Sequence, residues 1–182
     1  MLLTPATEAD YPVIVALANL AYRGTGSSTG GGASWNLEAG ILEGTRLDES
    51  LLREDLAAKP SAHMLLYRDT SAGPLLGPVL GTVWLEPKDD AVWYLGLFTI
   101  HPDLQNRQLG RALLAAAEDF VRTHNGRTIR MTVLHVREAL IAWYIRRGYR
   151  ATGETEPFPY GDDRFGTPLR DDLHFIVLGK EL

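Results

Sequence analysis

The residues with the clearest chemical meaning run from Ile100 to Leu114, Ile-His-Pro-Asp-Leu-Gln-Asn-Arg-Gln-Leu-Gly-Arg-Ala-Leu-Leu. A strand-like run ends at Ile100, a polar turn follows Pro102, and helical spacing of apolar residues begins at Leu109. The first N–H groups of a helix lack intrahelical acceptors and sit at the positive end of its dipole, so such a terminus attracts an anion. Arg107 and Arg111 put full positive charge beside it, and a pyrophosphate matches that arrangement. The same residues also suit an ordinary helix start with solvated arginines. Two phosphate motifs are excluded, because no Gly-Lys-Ser/Thr follows and Gly-x-Gly-x-x-Gly is absent. A second cluster lies downstream: Glu154, Glu156, Asp162, Asp163, Asp171 and Asp172 surround Phe158, Tyr160 and Phe165, with Arg164 and Arg170 as the only cations among them. Acid plus aromatic suits a cationic ligand, and equally suits a solvated loop.

The elements that must position these residues follow from periodicity. Ala91–Ile100 is rich in Val, Trp, Tyr, Phe and Thr and reads as a long strand. Leu109, Leu113, Leu114, Ala117, Phe120 and Val121 recur at three and four, which predicts a helix from about Asn106 to His124, closed by Asn125-Gly126. Arg127–His135 is a strand with Ile129, Met131 and Val133 on one face, and Arg137–Arg147 is a helix ending at Gly148. Upstream, Met1–Thr4 reads as a strand, and Thr7 caps a helix with Ile14, Leu17, Ala18 and Ala21 inward. The Gly/Ser/Thr-rich stretch Arg23–Ser34 reads as a loop. Asp48–Ala58 is a second helix stopped by Lys59-Pro60; Met64–Arg68 and Leu80–Leu85 are strands, as are Tyr149–Thr152 and Leu173–Leu178. A crossover helix makes its flanking strands parallel, so this order packs as an α/β (α+β) fold, a mixed central sheet of about six to seven strands with helices on both faces.

Composition narrows the function classes. With 182 residues, 45% hydrophobic and 23% charged, residues 1–182 form one globular domain with a substantial core. Cysteine is absent, which excludes disulfide scaffolds, thiolate metal sites and cysteine nucleophiles. Apolar runs such as Val13–Leu20 fall short of the roughly 20 residues of a membrane span, and the N-terminus lacks a basic region and cleavage site. A soluble, cytoplasmic protein without membrane attachment is therefore expected. The net charge of −5 disfavours nucleic acid as a partner and favours small or cationic ones.

Between Trp93 and Tyr149 the chain resembles the GCN5-related N-acetyltransferase (GNAT) superfamily. That family carries Gln/Arg-x-x-Gly-x-Gly/Ala after a strand ending in a hydrophobic residue, one further residue and Pro. Here Ile100-His101-Pro102 precedes Gln105-x-x-Gln108-x-Gly110, so the second glycine matches and Gln108 replaces the first. Arg137-x-x-Leu140-x-x-Trp143-Tyr144-x-x-x-Gly148-Tyr149 is similar to the family's Asn-x-x-Ala-x-x-Leu-Tyr-x-x-x-Gly-Phe, with departures at Arg137 and Leu140. The resemblance implies acetyl-CoA as co-substrate, without a metal, held by a core at about residues 91–149. Phe98, Thr99 and Ile100 would offer backbone groups to the pantetheine arm, lying as a pseudo-strand where two strands splay. Gln105, Asn106, Arg107, Gln108, Leu109, Gly110 and Arg111 would wrap the pyrophosphate, with Arg137 beside the cofactor. At Gln108 the expectation is a negative φ with the amide still aimed at phosphate, since glycine reaches positive φ cheaply and glutamine does not.

Acetyl transfer to an amine then sets three requirements. An alkylamine of pKa ~10.4 costs about 4–5 kcal/mol to deprotonate at pH 7, so a base or a desolvating site is needed. The family's usual carboxylate position falls near Tyr94, which leaves Glu86 as first candidate, acting through water, and His135 as second. Both also suit structural roles. The resemblance assigns the oxyanion to a backbone N–H near Phe98–Ile100 and the thiolate's proton to Tyr144, whose helical spacing with Val136, Leu140 and Trp143 also suits a core aromatic. The expected function is N-acetylation of a primary amine on a small molecule or peptide through a ternary complex. Trp35, Trp84 and the Gly24–Ser34 loop would form the acceptor's other wall or a lid. A catalytically inactive acetyl-CoA-binding sensor or interaction module is the alternative, and a homodimer is what the resemblance implies for assembly.

Overall fold

The computed structural model describes residues 2–24, 37–71, 77–89, 91–104 and 107–182. The strands are β1 (Leu2–Pro5), β2 (Leu42–Glu43), β3 (His63–Arg68), β4 (Val79–Pro87), β5 (Val92–Ile100), β6 (Thr128–Leu134), β7 (Arg150–Pro157), β8 (Thr167–Pro168) and β9 (His174–Glu181). The helices are α1 (Tyr11–Arg23), α2 (Glu49–Ala58), α3 (Leu109–Thr123) and α4 (Glu138–Ile145). Seven strands form one mixed sheet in the order β1-β3-β4-β5-β6-β9-β7, and β2 pairs β8 in a separate ribbon. Every neighbour in the large sheet is antiparallel except β5 and β6. That pair is the one joined by the crossover helix α3, as the order of elements requires.

Successive strand residues face opposite sides, and the two faces carry different cores. Leu65 and Tyr67 of β3 with Val83 and Leu85 of β4 pack against Leu113, Leu114, Ala117 and Val121 of α3. Their alternates Met64, Leu66 and Trp84 pack against Ile14 and Ala18 of α1 and Leu52 of α2. Of the second layer's helices α2 begins with a side-chain cap, whereas α1 follows a 3-10 turn, Glu8–Asp10, opened by Thr7, and its own N-cap residue Asp10 makes no side-chain capping hydrogen bond. Thr7 donates its N–H and hydroxyl to Asp10 at 2.9 and 2.8 Å just before α1, and Asp48 accepts from the Leu51 N–H at 2.8 Å. A third, smaller cluster of Leu42, Leu134, Phe158 and Leu173 covers one end of the sheet.

Two features depart from the periodicity. β7 runs to Pro157 rather than stopping at Thr152; all its residues are exposed, so its register comes from main-chain pairing with β9 and not from burial. The β2–β8 ribbon is two residues long on each side, below the length at which alternation has meaning. Among the described residues, no helix is long and apolar enough to cross a membrane.

Candidate active site

The site is built where β5 and β6 part. They pair only over Val92–Tyr94 and Thr128–Arg130. Beyond that, β6 stays with β9 through Leu134 and β5 stays with β4 through Ile100, so their facing edges have no strand between them. A cavity of about 400 Å³ occupies the fork, lined by Tyr94–Phe98 of β5, Met131–Leu134 of β6, and Arg137, Leu140 and Tyr144 at α4. At this level β5 carries a bulge: Thr99 opposes Thr82 and Gly96 opposes Trp84, which leaves Leu97 and Phe98 against the single residue Val83. Leu97 adopts φ +44, a left-handed conformation that costs a side-chain-bearing residue about 1–2 kcal/mol. The Thr82 and Thr99 hydroxyls hold it by donating to the Leu97 carbonyl at 3.3 and 3.2 Å. The Tyr94 and Thr132 hydroxyls meet at 3.1 Å and tie the two strands at the base of the fork.

Tyr144 lines this cavity from α4 and is 4% exposed, with its ring edge-on to Phe98, Trp143 and Tyr149. Its hydroxyl makes no hydrogen bond with any described residue, and it is not among the buried polar atoms sealed without a partner. Burial pushes its pKa far above the ordinary phenol value, so it stays a proton donor at any working pH. Glu86 lines the cavity from the opposite side. Desolvation raises its pKa, but hydrogen bonds from Lys88 Nζ (2.6 Å) and Trp84 Nε1 (3.3 Å), with the charges of Lys59 and Lys88, bring it below the usual carboxylate value. Glu86 is thus ionised, and it is a weaker base than a free glutamate. His135 does not line the cavity; it stacks on His174 at 3.9 Å between ring centres.

Among the expected cofactor residues, Phe98 and Arg137 line the cavity, while Thr99 and Ile100 are buried beside it in the β4–β5 ladder. Gln105 and Asn106 lie outside the described residues. Arg107, Gln108, Leu109, Gly110 and Arg111 form the approach to α3 and its first turn, where Gly110 sits against the Trp143 ring. Gln108 overturns one expectation: its φ is +60, a left-handed conformation that glycine reaches cheaply and glutamine does not. The strain is local, at the corner from which α3 starts.

Other residues carry no motif, and only the fold brings them in. Tyr22 of α1, Glu38 and Arg46 line the cavity. Beside Arg111, a groove is lined by Arg146, Arg147 and Lys180 with Glu118 as its single acid. Arg147 lies over the Trp143 ring at 3.4 Å and its buried Nε has no hydrogen-bond partner; desolvation and the neighbouring Arg146 and Arg111 charges depress its pKa. Glu118 pairs with Lys180, so the groove's excess positive charge comes from Arg111, Arg146 and Arg147, which have no carboxylate within ion-pair distance among the described residues. Of the acid and aromatic loop, Glu156, Phe158 and Phe165 reach the cavity. Glu154 pairs with Arg130 and Asp172 with Arg170, whose charge and hydrogen bonds hold Asp172 down to about 2. Trp84 is buried against α1 and α2 and does not line the cavity. Trp35 and residues 25–34 lie outside the described residues.

Residues 34–149 match the model of the acetyltransferase (GNAT) family. No curated protein sequence matches the chain. Among solved structures, a GNAT family acetyltransferase from Elizabethkingia anophelis with acetyl-CoA bound is similar at TM-score 0.65 and 17% identity, covering 100% of this chain and 97% of that one. A ribosomal-protein-alanine N-acetyltransferase from Brucella melitensis gives TM-score 0.67 and 19% identity over 100% of both chains. A spermidine N-acetyltransferase chimera from Vibrio cholerae gives 0.66 and 13% over 100% and 96%. These likenesses establish a shared fold across proteins whose named acceptors differ. The family match spans most of the chain, including the strand fork, the α3 approach and Tyr144, and the chain belongs to the GNAT acetyltransferase family.

Proposed function

We propose that this chain moves an acetyl group from acetyl-CoA directly to a primary amine held with it in one ternary complex. The observation that carries the reading is the unbonded Tyr144 hydroxyl on the wall of the cavity where β5 and β6 part. The residues present fit the co-substrate at both ends. The edge of β5 beyond Tyr94, where β6 has parted from it, offers backbone groups to an extended pantetheine arm, and the Gln105–Arg111 stretch would receive the pyrophosphate. Arg111, Arg146 and Arg147 supply the charge that further nucleotide phosphates would neutralise.

In the chemical step, the neutral amine nitrogen bonds to the thioester carbonyl carbon and the C–S bond breaks. Tyr144 donates its phenolic proton to the departing sulfur, which avoids releasing a free thiolate. A main-chain N–H at the Leu97–Phe98 bulge faces the carbonyl oxygen, a position that the kinked backbone re-aims away from the ladder. Glu86 receives the amine's proton through water, with Lys59 and Lys88 keeping it ionised and ready to accept. Its reduced basicity means that desolvation of the amine in the cavity carries part of the cost of deprotonation.

The direct test is CoA release from the purified chain across acyl-CoAs and amines, beside the melting temperature with and without acetyl-CoA. Stabilisation by acetyl-CoA together with amine-dependent CoA release supports the reading. Stabilisation without release under any amine identifies a binding module instead, and no stabilisation at saturating ligand removes both.

A further inference from the structure

We propose that the acceptor is an amino acid with an apolar side chain, whose carboxylate is received by Arg46. This deepens the acetyltransferase reading above and rests on it. The charges lining the cavity are Arg46, Lys59, Lys88 and Arg137 against Glu38, Glu86 and Glu156. Most of them are already matched. Glu86 takes Lys88 at 2.6 Å and Lys59 at 3.7 Å. Glu38, 8% exposed, is paired with Arg23 and has Arg137 at 3.9 Å. Arg46 is the exception: its guanidinium stacks on the Tyr22 ring at 5.2 Å and has no carboxylate within ion-pair distance among the described residues.

Arg46 is also held in place, as a binding residue must be. Its backbone N–H donates to Asn19 Oδ1 at 2.7 Å, and the Asn19 side-chain amide donates to the Leu47 carbonyl at 2.7 Å. Arg23, one turn further along α1, donates from Nε to the Gly44 carbonyl at 2.9 Å and from Nη2 to the Phe165 carbonyl at 2.9 Å. Two polar side chains of one helix thus clamp the segment from Gly44 to Leu47, and the guanidinium stays half-buried at the cavity wall. A fixed, stacked guanidinium without a counter-charge is a site for a planar anion, and a carboxylate matches its fork in a bidentate pair.

The remaining walls define the rest of the ligand. Leu42, Phe158, Phe165 and Phe175 give an apolar surface, and Glu156 is the lining carboxylate with no cation beside it among the described residues. One cation, one anion and an apolar wall complement the carboxylate, ammonium and side chain of one zwitterion. A polyamine fits worse, since it brings no carboxylate to Arg46 and finds Glu156 as the one lining carboxylate without a cation beside it among the described residues. A cavity of about 400 Å³ suits a small molecule.

The experiment compares phenylalanine, phenylalaninamide, phenethylamine and spermidine, by CoA release from acetyl-CoA and by calorimetric titration into the CoA complex. The expected result is kcat/KM and affinity at least about 30-fold higher for phenylalanine than for its amide, the order of a bidentate charged contact. Arg46→Gln should collapse that ratio to about three-fold or less, with Arg46→Lys intermediate because it keeps charge without the fork. Melting temperatures of both variants, with and without acetyl-CoA, show that they are folded and load the co-substrate. A wild-type ratio near one, whether both ligands bind or neither does, overturns the proposal; so does a ratio that survives Arg46→Gln in folded protein. Failure of acetyl-CoA to stabilise the wild type overturns the underlying reading instead.

Discussion

At the scale of single residues, Tyr144 and Glu86 have opposite environments, and that difference decides what each can do. Tyr144 is buried among rings with its hydroxyl facing the cavity, so it holds its proton until a stronger acceptor forms nearby. A thiolate expelled into the same desolvated cavity gains basicity from the same burial, and takes the proton as the C–S bond breaks. Tyr144→Phe keeps the ring packing and removes only the donor, so kcat is expected to fall by about 10²-fold or more with little change in melting temperature. A loss under about three-fold with chemistry rate-limiting would remove Tyr144 as the acid. Glu86 is ionised well below neutral pH, so the rise of kcat/KM through the neutral range should belong to the acceptor amine. Glu86→Gln should then lower the whole profile by about 10-fold or more; an unaltered profile would leave Glu86 a purely structural carboxylate. Stability gives a second readout. Because the folded pKa of Glu86 is depressed, its ion pairs stabilise the fold above the ordinary carboxylate range and stop doing so as pH falls through the folded value. The stability deficit of Glu86→Gln should therefore be present at neutral pH and shrink on acidification, as read by denaturant titrations at several pH values.

At the scale of elements, the α3 approach shows backbone geometry prevailing over residue preference. Gln108 sits at φ +60 where the family motif has glycine, so the turn is strained for a residue that carries a Cβ. Gln108→Gly is expected to relieve that strain, offset in part by the extra freedom of glycine in the unfolded chain, for a net gain of up to about 1 kcal/mol. That corresponds to a melting temperature higher by about 2–4 °C, and a lower one would show the side chain making contacts that outweigh the strain. The other end of α3 is anchored by charge. Lys180 of β9 donates to both Glu118 oxygens at 2.7 Å, and the Tyr149 hydroxyl donates to the same carboxylate at 3.2 Å. Glu118→Gln leaves Lys180 unpaired and should cost about 2 kcal/mol, less than a fully buried pair because Lys180 is partly exposed. The elements carrying this site were legible where burial imposes a period: α3 with Leu113, Leu114, Ala117 and Val121, and β6 with Ile129, Met131 and Val133. Gln105–Arg111 and Tyr144 could be marked as candidates from sequence because their motifs are local, and the fold brings Tyr144 to the cavity and Arg107–Arg111 to the start of α3. Arg46, Glu38 and Tyr22 were not, since nothing in their spacing marks them; they meet the cavity only because α1 and the segment after it close over the β5–β6 fork. The left-handed Gln108 was read wrongly because residue preference was weighed without the turn that imposes the conformation.

For the whole molecule, the net charge of −5 opposes a polyanionic co-substrate, while the groove of Arg111, Arg146, Arg147 and Lys180 attracts it. Distance decides which wins. Charges spread over the surface act on an approaching ligand at long range and are screened first, whereas groove charges act within a few ångströms of a bound phosphate. The Debye length shortens from about 30 Å to about 10 Å between about 0.01 and 0.1 M salt, which removes much of the long-range repulsion. Further addition, toward about 1 M and a Debye length of about 3 Å, weakens the groove itself. The affinity for acetyl-CoA, measured by calorimetry, is therefore expected to change little over the first interval and to fall over the second. With Arg146 and Arg147 both replaced by glutamine, the fall at high salt should flatten and the affinity at low salt should drop by about 10-fold, as expected for losing two part-exposed charge contacts worth up to about 1 kcal/mol each. Unchanged affinity and salt dependence in the folded double variant would place the nucleotide phosphates elsewhere and leave the groove without a role in co-substrate binding.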